Sequence, residues 1–182
     1  MSSSSGAQTI VDNSESRGLK SVPKKGTAIV WFRRDLRIQD HPALVAASEY
    51  ETVLPVYIDD PRREGDWPMG EASRWWVSQS LAVLSHQLTE LGASLRIYQG
   101  DTTDILSRLI KAHQVKAVFW NRLYDPATVS ADKTLKQTLR SSFEADGLEV
   151  ESFCAHVLKE PWHMLKKDGT PYWIQLRLIP FE

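Results

Sequence analysis

The chain has 182 residues, 42% of them hydrophobic and 25% charged, enough for one ordinary domain with a sizeable core. A formal net charge of -1 creates no global field for nucleic acid, so any DNA contact needs a local basic patch or a further part of the protein. A single cysteine, Cys154, excludes an internal disulfide, and no apolar run reaches the roughly 20 residues of a membrane span.

Residues 1–26 are rich in Ser, Gly and Lys, lack apolar periodicity and read as a disordered tail. They have no apolar centre of a secretory signal. Asp12, Glu15 and the single arginine, Arg17, weigh against an organelle transit peptide. The tail favours a cytoplasmic protein, with nucleus or organelle left open for a eukaryotic source.

Thr27–Phe32 reads as a buried strand, apolar after Thr27. It stops abruptly at Arg33-Arg34-Asp35-Leu36-Arg37. Asp40 or His41 can cap the next helix, which Pro42 opens and which turns Leu44, Val45 and Ala47 inward. Thr52–Ile58 is the second strand. Pro55 inside it implies a bulge, or a stretch without ladder pairing on one side. Asp59–Gly70 is a long, charged loop, and loops of this length are often functional.

From Glu71 to Leu91 the sequence predicts the longest helix. Val77, Leu81, Leu84, Leu88 and Leu91 recur at four, three, four and three residues, and Gly92 ends it. Ser94–Gln99 is the third strand. Asp101 and Asp104 mark the start of a helix buried through Ile105, Leu106, Leu109 and Ile110. Val115–Trp120 is the fourth strand, Asp125-Pro126 starts a helix over about 127–145, and Leu148–Phe153 is the fifth strand. This alternation predicts an α/β fold: a doubly wound, five-stranded parallel sheet, Rossmann-like, order 3-2-1-4-5, with helices on both faces. Residues 27–153 form that domain. Residues 154–182 change character and end in WIQLRLIPFE, apolar without a regular period.

Ligands of open α/β sheets bind beyond the carboxyl ends of the strands. No phosphate-cradling glycine loop follows the first strand. Two adjacent arginines stand there instead, and guanidinium forks bind carboxylates or phosphates directly. With the order 3-2-1-4-5, Arg33 and Arg34 face Asn121 and Arg122 across the crevice. The competing reading is that one arginine pairs with Asp35 or Asp40 and fixes the loop. Asp59-Asp60 reads as a solvated loop. His41, His86, His113, His156 and His163 are scattered, with no zinc-like spacing, and no metal site is expected. Trp31 and Trp120 lie in buried strands and read as core. Trp75 and Trp76 cannot share a helix face, so one covers a strand and the other a partner surface.

In chain order, VWFRRDLRIQDHPAL at 30–44, LPVYIDDP at 54–61, GEASRWW at 70–76, Gly100-Asp101, FWNRLYDP at 119–126, EPW at 160–162 and GTPY at 169–172 together resemble the photolyase/cryptochrome family. His41 stands where that family usually has asparagine. The resemblance implies the amino-terminal α/β half, which in many relatives holds an antenna chromophore: a folate, deazaflavin or flavin. Full-length relatives repair UV-induced pyrimidine dimers in DNA with blue light. Their flavin adenine dinucleotide and DNA lesion belong to a helical domain that follows and that also partly closes the antenna site. The family pattern departs at Trp173, so 154–182 reads as a truncated linker toward that missing domain. No catalytic residue transfers. By motif match, Arg34, Tyr57, Asp59 and Asn121 are the candidate antenna walls. The implied partners are an antenna chromophore and, only through a full-length form, damaged DNA; no membrane partner is implied. The leading expectation is a light-harvesting half, inactive alone. The alternatives are a cryptochrome-type interaction fragment using Trp67, Trp75 and the C-terminal apolar stretch, or a nucleotide-binding protein of the universal-stress type.

Overall fold

A computed structural model describes residues 23–63, 68–166 and 168–170. Five strands, β1 (Lys24–Phe32), β2 (Tyr50–Asp59), β3 (Arg96–Gln99), β4 (Val115–Asn121) and β5 (Glu149–Phe153), form one parallel sheet. Its order is β3-β2-β1-β4-β5, as the alternation of elements predicts. Four helices connect them: α1 (Pro42–Ala47), α2 (Glu71–Glu90), α3 (Thr102–His113) and α4 (Pro126–Ser142). β1 begins at Lys24, three residues before the strand expected at Thr27. The expected tail at 1–22, Trp67 and the stretch 171–182 lie outside the described residues.

β1 is central, and its alternation builds two cores. Ile29 and Trp31 join Val118 and Trp120 of β4 beneath α3 and α4. Ala28, Val30 and Phe32 join Ala117 and Phe119 beneath α1 and α2. Burial of each large side chain contributes roughly 1.5–3 kcal/mol, so strands covered on both faces carry most of the cohesion.

Pro55 fits this sheet for the second of the two expected reasons. It pairs in register with Val30, but β3 joins β2 only from Val56 onward. The shorter third strand, starting at Arg96 rather than Ser94, leaves the proline with no ladder partner to disappoint on that side.

Two helix expectations need correction. α1 has only six residues, so it offers a single inward stripe, Ala43 and Ala47, against the sheet; Val45 is turned to solvent, 66% exposed. In α2 the inward stripe is buried at Leu81, Leu84 and Leu88, whereas Leu91 lies past the last turn and is exposed. Gly92 then takes φ 81°, a left-handed value that glycine adopts at little cost.

Side-chain caps start three helices. His41 Nδ1 accepts from the Leu44 N–H at 3.1 Å, Asp101 from Asp104 at 2.8 Å and Asp125 from Thr128 at 2.9 Å. Asp101→Ala is expected to cost about 1 kcal/mol, lowering Tm by roughly 2–4 °C in a thermal melt. An unchanged Tm would show that the α3 start is satisfied without it.

Candidate functional site

The carboxyl ends of β1 and β2 and the first turns of α2 enclose a cleft. Its narrow part, about 90 Å3, is lined by Trp31, Arg34, Tyr57, Asp59, Arg63 and Met69. It adjoins a wider open groove of about 770 Å3 whose walls include Arg34, Leu36, Met69, Trp76 and Val77. Arg34, Met69 and Val77 border both parts. Together they have the size and mixed lining of a small-molecule site.

Three of the four expected wall residues meet here: Arg34, Tyr57 and Asp59. Arg34 is exposed at the cleft wall, where its charge acts on the Asp125 carboxylate and its fork can reach an anion. Asp59 receives a long hydrogen bond from Gln99, 3.4 Å, and remains half-buried at the rim. Trp31 contributes an indole Nε1 that is buried and has no protein acceptor among the described residues. Arg33 and Arg63 stack over the Trp31 ring at 4.8 and 5.3 Å from its centroid.

The fourth residue, Asn121, sits elsewhere. It is 1% exposed and lies on the α1 face, outside the cleft. Its Oδ1 accepts from the Ala43 N–H at 3.2 Å, and its Nδ2 donates to Asp35 Oδ2 at 2.5 Å. His41 Nε2 also lies 3.0 Å from Asp35 Oδ2, in close contact but without the geometry of a hydrogen bond. Burial pushes the Asp35 carboxyl up; the His41 ring and the Asn121 amide outweigh burial and hold it below its ordinary value.

Arg33, the first of the arginine pair, points inward. Its Nη1 meets both carboxylate oxygens of Asp132 at 3.0 Å, and its Nη2 donates to the Asn121 carbonyl. Burial lowers the Arg33 pKa, while Asp132 opposes that shift. Arg63 reaches the same carboxylate at 2.6 Å, and the Trp120 indole donates to it at 3.1 Å. The expectation that Arg33 or Arg34 pairs with Asp35 or Asp40 is thus corrected. Arg37 is the residue beside Asp40, bonded to its carbonyl at 2.9 Å.

Asp60 also departs from the solvated loop expected for it. Its side chain is only 6% exposed and accepts from the Thr102 N–H and Oγ1 at 2.9 and 3.0 Å. Burial would raise its pKa; the bonds from Thr102 and Arg62 outweigh burial and lower it. The carboxylate is held at the amino end of α3, where helix N–H groups favour negative charge. Asp60 therefore ties the end of β2 to α3 and shapes the cleft floor.

Sequence reasoning missed Asp132, Arg63, Met69 and Trp31 as parts of this region. Asp132 had a legible signal. Thr128, Asp132, Leu135 and Leu139 are the buried residues of α4, at helical spacing, so Asp132 is a charge on an inward stripe and requires a partner.

Fold and cleft define a doubly wound α/β domain, with a cation-bearing cleft at the carboxyl edge of its parallel sheet. The family model for DNA photolyase matches residues 28–174, and the chain belongs to that family. It is 45% identical over 155 residues to the deoxyribodipyrimidine photo-lyase of Agrobacterium fabrum, covering 85% of this chain and 30% of that protein. It is 41% identical to cryptochrome-2 of Arabidopsis thaliana, covering 79% of this chain and 23% of that one. A crystal structure of a bacterial class III photolyase from Agrobacterium tumefaciens superposes with TM-score 0.74 at 42% identity, over 86% of this chain and 31% of that chain. The chain thus spans about a third or less of the length of these relatives, the part that forms their amino-terminal α/β domain. Among the described residues, no helix is long and apolar enough to cross a membrane.

Proposed function

We propose that this α/β unit holds an antenna chromophore, a folate, deazaflavin or flavin, in the Arg34–Tyr57–Asp59 cleft. In a full-length photolyase or cryptochrome context it would pass excitation to a catalytic flavin. The observation that carries the proposal is the convergence of Arg34, Tyr57 and Asp59 on one cleft beside the Trp31 Nε1, which has no acceptor among the described residues. A flat heteroaromatic ring would lie along the apolar groove formed by Leu36, Met69 and Trp76. Its anionic tail would meet Arg34, and the Asp59 carboxylate would accept from ring N–H groups. DNA contact is assigned to a longer form, because the net charge of this chain offers no attraction of its own.

The test is a titration of the purified chain with a reduced folate, a deazaflavin and flavin mononucleotide, read by absorption and fluorescence. One of the three is expected to bind in the micromolar to millimolar range. Arg34→Ala is expected to weaken that binding about tenfold or more, the worth of one charge-assisted hydrogen bond. Absence of binding by all three, or binding indifferent to Arg34, would overturn the assignment.

A further inference from the structure

The helix α2 carries an inward apolar stripe, which the core uses, and an outward stripe of mixed apolar and polar residues without Lys, Arg, Asp or Glu. The second runs along the opposite side through Ala72, Trp76, Gln79, Val83 and His86, at spacings of four, three, four and three residues. Trp75 and Ala82 flank it. All seven residues are exposed; Trp75 is 62%, Trp76 67% and Val83 58% exposed. The expectation that one of the two tryptophans covers a strand is corrected, because both face outward. From Trp75 to Thr89 the helix has no Lys, Arg, Asp or Glu. A solvent-facing helix side ordinarily carries charge. Aromatic enrichment with depletion of charge marks the centre of an interface.

We infer that this face pairs with a second copy of itself, as an antiparallel two-fold helix pair centred on Gln79. The stripe is self-complementary about that residue. In the antiparallel register, Trp75 stands opposite the partner's Val83, Trp76 opposite the partner's Ala82, and Ala72 opposite the partner's His86. Each large indole therefore meets a smaller side chain, which interdigitated helix packing requires. The spacing is that of a coiled-coil seam. Gln79 meets the partner's Gln79 on the axis, where two amides can exchange hydrogen bonds. Glu71 faces the partner's Gln87, so no like charges stand directly opposed. In a two-fold interface the same patch serves both copies, and this patch satisfies that condition.

The size of the contact sets its strength. Four largely exposed indoles supply roughly 500 Å2, and the rest of both stripes brings the total to about 1,000 Å2. That is the low end for specific association, so the dimer should form at roughly micromolar to tens of micromolar concentration. Trp76 also walls the wide groove, so a partner seated on it would narrow the groove mouth. Pairing and groove occupancy are therefore linked through Trp76, and the pairing is measured on the ligand-free chain.

Sedimentation velocity of the full chain between roughly 1 and 300 μM, spanning that range, is the test. A monomer–dimer equilibrium is expected, and Val83→Glu should weaken it at least tenfold with unchanged far-UV circular dichroism and Tm. In a Cys154→Ser background, Gln79→Cys should oxidise to a covalent dimer faster than Val45→Cys, an exposed control on α1. A chain that stays monomeric throughout would assign the stripe to another occupant and overturn the proposal. So would a dimer indifferent to Val83→Glu, or cross-linking at position 79 no faster than at position 45.

Discussion

Replacement of Asp132 by alanine is expected to destabilise the fold by roughly 3–5 kcal/mol, the cost of breaking a buried ion pair from one side. The carboxylate is 11% exposed and receives Arg33, Arg63 and the Trp120 indole. Without it, guanidinium groups only 7% and 17% exposed lose their counter-charge, and arginine does not escape by deprotonating. Asp132→Asn keeps the shape and an acceptor oxygen, so its loss should be smaller. The double variant Arg33→Met with Asp132→Leu should recover only the part of the deficit that comes from the Arg33 charge, since Arg63 and the Trp120 indole still lose their acceptor. Urea denaturation measures all three. An Asp132→Ala loss under about 1 kcal/mol would show that water or another group replaces the carboxylate.

Asn121→Ala is expected to cost roughly 2–4 kcal/mol at neutral pH, because it leaves two buried partners unmet. The Ala43 N–H loses its acceptor in the first turn of α1, and the Asp35 carboxylate loses its amide donor. The effect should depend on pH in a defined sense. The folded-state pKa of Asp35 lies below its ordinary value of 3.8, so folding favours the ionised form. The stabilisation from that group is complete well above the ordinary value and is lost as pH falls through the lower folded value. Once Asp35 is protonated the amide matters less, so the penalty of Asn121→Ala should shrink between pH 7 and pH 3. A penalty that stays constant or grows toward pH 3 would sink the assignment of Asn121 to the charged form of Asp35. Both experiments address the same junction of β1, β4 and α1 from opposite faces of the sheet.

The architecture was legible because strands covered on both faces are continuous apolar runs, and helices between them imply parallel order. Pro55 even carried information about where β3 begins. The site was less legible, for a reason that Arg33 and Arg34 make plain. Both follow the same strand at a bend in the chain, and both border the narrow part of the cleft, yet one is buried and the other exposed. One is sealed against Asp132, ninety-nine residues away in sequence, while the other faces the cleft. Composition cannot say which is which until the partner is found. Asn121 shows the same limit: a polar residue at a strand end serves a ligand or a loop equally well in sequence. Asp60 was misread because its partner, the start of α3, lies across the sheet edge rather than next to it in the chain.

The anchoring of Arg33 has a consequence for its neighbour. Binding a ligand through a free loop means freezing several backbone dihedrals at once, each residue losing on the order of 1–2 kcal/mol in conformational entropy. Here the backbone beside Arg34 is already held by the buried fork of Arg33 on one side and the buried carboxylate of Asp35 on the other. Ordering on ligand capture is then confined to one arginine side chain, about 2 kcal/mol at most. The buried arginine thereby makes the exposed one a prepared contact for the ligand proposed above.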